Sequence, residues 1–180
     1  MNKKELCLDS IKGGAACIVA FAWHYAHFRP KEGFPFYNIA PLSYDYGWIM
    51  VELFFMLSGF GMMLGYSEKI LKHEISFKNY LFKRIAKLYP LFFLTLILVT
   101  ILEFIYKIKV GETFVYSNYD IYHFILNLLF IQDGILGTEL SFNGPSWCIS
   151  ISFFLYILFY YIAYKSKSKN EIYYRCASGG

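Results

Sequence analysis

PSWCISISFFLYILFYYIAY, Pro145 to Tyr164, runs through twenty positions without one charged side chain. A helix crossing ~30 Å of hydrocarbon needs about 20 mostly apolar residues, and this run supplies them. Three further stretches approach the same pattern. Gly47–Tyr66 carries only Glu52, and Leu88–Tyr106 carries only Glu103. In Ile11–Phe28 no charge follows Lys12, and the run ends on His24 and His27. A fifth stretch, Tyr122–Leu136, is shorter and holds His123, Asn127, Gln132 and Asp133, so it could span, dip in and return, or lie on the surface.

Composition agrees with a bilayer as the solvent. The 180 residues are 57% hydrophobic, 22% aromatic and 17% charged, against about 25% charged in a typical globular chain. With 17 Tyr and 19 Phe, the chain has more large rings than the core of so small a domain buries. Lipid-facing surface accepts them, and its borders favour Tyr and Trp. The net charge of +4 is scattered between apolar runs. That is loop charge beside a membrane; a nucleic-acid partner would need a basic face. Cys7, Cys17, Cys148 and Cys176 show neither CxxC spacing nor a secretory framework, so neither a disulfide nor a metal is expected. Residues 20–22, AFA, resemble a signal-cleavage site. The weakly hydrophobic GGAACIVA and the acidic Glu5 and Asp9 argue for a retained span instead.

Lys/Arg asymmetry sets an orientation. With four crossings and the N-terminus in the cytoplasm, the 17 basic residues fall as 3, 6 and 4 inside against 2 and 2 outside. A full crossing by Tyr122–Leu136 would put the basic tail outside, so that segment is expected not to span. The expected fold is therefore all-α: a polytopic transmembrane helical bundle of four full spans plus one short or re-entrant segment. Residues 1–164 form its membrane part. The tail 165–180, KSKSKNEIYYRCASGG, is too polar to span, and the chain looks cut after it.

An ionisable side chain inside a span costs at least ~2.5–3.5 kcal/mol, so each calls for a partner or a task. At ~1.5 Å rise per residue, His24 lies roughly 20 Å above the inner edge, and Glu52 and Glu103 fall at comparable depth in the outer half. A carboxylate bonded to one imidazole nitrogen makes the other a better base. The alternatives are a histidine that satisfies an interhelical hydrogen bond and a Glu103 that snorkels. Lys83, Arg84 and Lys87 precede Pro90 at the inner end of the third span. They read either as a positive-inside anchor or as a seat for phosphates. Ser58, Gly59, Gly61 and Gly65 allow close helix packing, or close approach of a thin ligand.

Four motifs, IKGGAACIVAFAWHYAHF, VELFFMLSGF, FKRIAKLYP and PSWCISISFFLY, together resemble the acyltransferase-3 family of bacterial integral-membrane acyltransferases, in order and rough spacing. The resemblance spans about residues 9 to 164. It implies transfer of an acyl group, commonly acetyl, from acyl-CoA on the cytoplasmic side of the bacterial inner membrane. The implied acceptor is a hydroxyl of a surface polysaccharide, a lipid-linked sugar or a similar extracytoplasmic molecule. By position, His24 matches the family's first-span histidine, taken as catalytic, and Lys12 the basic residue before it. Arg84 and Lys87 match its paired basic residues, and Ser58–Gly59 its Ser-Gly.

Three departures accompany the match. Lys87 stands where arginine is usual, which removes a planar bidentate contact. Ser152 stands where many members carry glutamate, leaving Glu52 or Glu103 as the acid partner. The family's domain is about twice this length, which implies further C-terminal helices or a partner chain. Two other readings stay open at this level: an inactive remnant, and a non-enzymatic transporter or scaffold fragment.

Overall fold

The computed structural model describes residues 3–24, 37–114, 116–132 and 140–177. Its described residues contain helices and connections but no strand. They are α1 (Lys3–Ile18), α2 (Pro41–Asp45), α3 (Trp48–Leu71), α4 (Phe77–Val110), α5 (Ile121–Leu128), α6 (Trp147–Lys165) and α7 (Lys169–Ala177). The chain divides into two compact units, residues 1–66 and 67–180.

Three helical stretches are long and apolar enough to cross a membrane: Trp48–Leu71, Phe77–Val110 and Gly144–Lys165. The helix of the first apolar run is shorter in apolar content, Ser10–Trp23. His27, the end of that run and the basic Arg29 and Lys31 lie outside the described residues. Three helices therefore meet the length and composition of a span, and the expected fourth does not among the described residues. The eight residues of α5 reach only ~12 Å at 1.5 Å each, far short of a crossing. The tail is helical over its middle: α7 buries Ile172 and places Lys169 Nζ 3.2 Å from Glu68 Oε1.

In the first unit, α1 passes into a π-helical turn over Val19–Trp23. Ala22 and Tyr44 are buried together with Tyr37 against them. The Tyr37 hydroxyl donates to Asp45 Oδ2 at 2.9 Å. Gly47 is required by close approach: a Cβ there would lie 2.6 Å from Ser43 O and 2.7 Å from Trp23 Cβ.

In the second unit, α4 runs 34 residues, starting well before the apolar stretch at Leu88. Ser76 caps it by accepting from Asn79 N–H. Gly111, at φ 86, ends it with its N–H on Lys107 O. Pro90 sits inside, at a cost of ~3 kcal/mol in an ordinary helix, which membrane helices tolerate when neighbours resatisfy the backbone. Two helix ends share one device. Glu74 N–H returns to Lys69 O and His73 N–H to Ile70 O; Ile131 N–H returns to Leu126 O and Phe130 N–H to Asn127 O. This paired closure wants its first residue past the cap in the left-handed region, normally glycine. Here His73 (φ 55) and Phe130 (φ 60) occupy it. Phe130 is held there by packing, since it joins Phe92, Leu96 and Phe142 in the main buried cluster. Tyr80 O–H to Tyr156 O and Tyr160 O–H to Ile75 O, both 3.1 Å, fasten α4 and the turn before it to α6.

Candidate active site

His24 closes the π-helical turn, its N–H bonded to Val19 O. That turn inserts one residue into the helical ladder, a distortion frequent at functional sites. Trp23, packed on Gly47, fixes the turn from the side. His24 itself is half-buried, and Lys12 lies half-buried earlier on α1. At 1.5 Å per residue the two are separated by about 18 Å along a continuous helix. Glu52, near the start of α3, is exposed. Ser58 and Gly59 follow on the same helix, half-buried. Among the described residues nothing lies within 4 Å of a Cβ placed on Gly59, Gly61 or Gly65. Close helix packing at these glycines is thus absent from the described structure.

The basic end of the second unit carries Lys83, Arg84 and Lys87 on successive turns of α4. Lys83 and Lys87 are exposed. Arg84 is half-buried, its guanidinium carbon 5.4 Å from the centre of the Tyr156 ring and 5.9 Å from that of Tyr80. Cation–π contacts of this kind hold the charge in place and favour arginine over lysine. Lys83 also lines a cavity of about 370 Å³ with Lys69, Asn79 and Glu74. Sequence reasoning missed Lys69 and Asn79 here. Asn79 was legible four positions before Lys83, on one helix face; Lys69 needed the fold of the turn between α3 and α4.

At the opposite end of α4, Glu103 is buried, 7% exposed. Its Oε1 accepts the Phe114 N–H at 3.0 Å. Burial first, then the charge of Glu103 and a hydrogen bond to it, push the Tyr119 phenol up to about 12. Glu103 therefore draws the 111–119 connection back onto α4. Asp120 caps α5: its Oδ1 accepts His123 N–H at 2.8 Å and pairs with Nδ1 of the same ring at 2.8 Å. These bonds, the backbone one first, hold the Asp120 carboxyl below its ordinary range. A cavity of about 470 Å³ lies here, lined by Glu103, Lys107, Tyr119, Asp120, Phe124 and Phe142. The Asp120–His123 pair was not anticipated, although an Asp three residues before a His at a helix start is a visible signal.

Deeper in the second unit, Asn127 is fully buried and donates to His123 O at 2.9 Å and Ser141 Oγ at 3.0 Å. Gln132 donates to Ser146 Oγ at 2.9 Å. These bonds tie the short α5 and its exit to the start of α6, whose Ser152 is half-buried.

No curated protein and no solved structure matches the chain. A family model described as an acyltransferase domain, Acyl_transf_3, matches residues 5–175, nearly its whole length. With three helices able to cross a bilayer and the basic and histidine motifs in their family order, the chain belongs to the acyltransferase-3 family of membrane acyltransferases.

Proposed function

We propose that the protein moves an acyl group, most simply acetyl, from acyl-CoA to a hydroxyl of an extracytoplasmic acceptor such as a surface polysaccharide or lipid-linked sugar. The observation that carries this reading is the placement of His24 at the end of a π-helical turn fixed by Trp23 and Gly47. Such turns are frequent at functional sites, which supports a role for the histidine that closes this one. In the proposed reaction the acceptor oxygen attacks the thioester carbonyl while His24 takes the hydroxyl proton. The C–S bond then breaks, and the thiolate of CoA leaves and takes up a proton. Positioned base catalysis contributes about 10²–10⁴-fold.

Glu52 belongs to the same unit as His24 and is the candidate carboxylate for orienting it. Glu103 is committed to Phe114 and Tyr119, and its proposed role is structural. Lys12, Ser58 and Gly59 remain candidates for the donor's path. Donor phosphates are assigned to Lys83 and Lys87, with Arg84 braced by two tyrosine rings beside them; Lys69 and the neutral donor Asn79 extend that seat, which also holds Glu74.

Two measurements test the reading. Membranes holding the His24→Ala variant at normal level should transfer acyl groups from labelled acetyl-CoA at background rate; wild-type rates would exclude a base role. Lys83→Gln with Lys87→Gln should raise the donor concentration needed for half-maximal transfer. Unchanged donor dependence would return both lysines to anchoring the helix.

A further inference from the structure

A second cavity in the larger unit, about 610 Å³, lies where α4 begins and α6 ends. That volume is within the ordinary range for small-molecule sites. Its wall is a chain of rings. His73 meets Tyr164 edge-on at 5.0 Å, Tyr164 stacks on Tyr160 at 6.0 Å, and Tyr160 meets Phe77 edge-on at 5.2 Å. Ser76 and Tyr161 complete the lining, and Lys165 brings its ammonium to 4.5 Å over the Tyr161 ring.

Three facts identify the occupant. First, the cavity lies at the ends of two helices long and apolar enough to cross, a position that fits a membrane border. Tyrosines collect at such borders, with ring bodies in the apolar zone and hydroxyls in the headgroup zone. Second, the wall faces outward: Tyr161 is 57% and Tyr164 51% exposed. A site opening sideways at this depth meets lipid before it meets a soluble ligand. Third, the chain segments that flank the cavity are cationic, and Lys165 sits over the Tyr161 ring of its wall. Residues 67–78 and 164–176 hold seven basic side chains against three acidic. Two of those acids are engaged locally, Glu68 by Lys169 and Glu171 by Arg175.

We propose that this cavity binds one anionic phospholipid, its phosphate beside Lys165, His73 and Ser76 and its glycerol and first methylenes against Phe77, Tyr161 and Tyr164. Lysines near an anionic leaflet gain by long-range attraction as well as contact. The aromatic wall converts that attraction into a defined site. This site is independent of the acyl-transfer reading, and its test measures no acyl transfer.

The test uses the full chain in neutral detergent, titrated with phosphatidylglycerol or phosphatidylcholine and observed by native mass spectrometry. One phosphatidylglycerol per chain should be retained preferentially. Lys165→Gln with His73→Gln should cut that preference by about fivefold or more, the factor expected for one lysine contact at an anionic surface. Both residues are exposed, so the variant should fold, and its unfolding midpoint in phosphatidylcholine micelles checks this. Lys109→Gln, at the far end of α4, should leave the preference unchanged. Equal retention of the two lipids by the wild type overturns the proposal, as does full preference in the double variant. Displacement of the lipid by millimolar inorganic phosphate or adenosine diphosphate would reassign the cavity to a soluble phosphate ligand.

Discussion

Among the ionisable side chains of the apolar helices, Glu103 and His24 are treated differently by the two units. In the second unit Glu103 is buried and receives an N–H from Phe114, and its charge helps hold the proton of Tyr119. Its desolvation is met by donors that the connection after α4 delivers to it. In the first unit His24 stays half-buried, and the backbone bends its rule instead, through a π-helical turn locked by Trp23 on Gly47. A group that is wrapped by its own chain serves the fold. The helix next to His24 is distorted instead, which is why the proposed chemistry is placed there.

The largest effect expected from this contrast is on rate. His24→Gln should lower acyl transfer by about 10²–10⁴-fold with the amount and unfolding midpoint of the protein unchanged. Glu103 should show the reverse. Glu103→Leu leaves buried donors without an acceptor and should destabilise the protein by about 1–3 kcal/mol, activity falling only as the folded amount falls. Glu103→Gln keeps an oxygen for the Phe114 N–H and should restore most of that stability. A Glu103→Gln variant that is stable but inactive would move Glu103 into the chemistry and erase the contrast.

Glycines sharpen the same comparison at a smaller scale. Gly47→Ala places a methyl group 2.7 Å from Trp23 Cβ. Overpacking of this kind costs about 1–3 kcal/mol, and the shift of the turn bearing His24 should reduce transfer by roughly 10- to 100-fold. Gly59→Ala meets nothing within 4 Å and should hold or raise stability, by about 0.5–1 kcal/mol for a helical glycine. If Gly59→Ala nevertheless weakens donor dependence, the backbone there approaches a ligand. Measured half-maximal acetyl-CoA concentrations decide it.

The membrane character was legible because Gly47–Tyr66, Leu88–Tyr106 and Pro145–Tyr164 are long, nearly uncharged runs, and length in hydrocarbon is a one-dimensional property. What escaped depends on the third dimension. The apolar run begins at Leu88, yet the helix starts eleven residues earlier, with FKNYLFKRIAK, where Tyr80 and Arg84 pack on α6. Tyr156, which braces Arg84, lies in another span, and no local pattern links them. A π-helical turn changes the ladder by a single residue, too little to disturb the periodicity of an apolar stretch. His24 was therefore readable as a candidate, while the distortion that singles it out was not.

The smallest expected effect concerns pH and belongs to the wrapped side of the comparison. In the unfolded chain Tyr119 ionises near 10; in the fold it keeps its proton until about 12. Between these values the unfolded state binds fewer protons, so stability falls as pH rises. Tyr119→Phe cannot ionise, and it also loses the hydroxyl that interacts with Glu103. At pH 8 the wild type should thus be the more stable, and the gap should narrow from pH 10 upward. The other sixteen tyrosines are common to both proteins and cancel in the difference. Unfolding midpoints of the pair at pH 8, 10 and 11 measure it. A gap that stays constant would mean that the fold, through burial and the charge of Glu103, does not hold the Tyr119 proton.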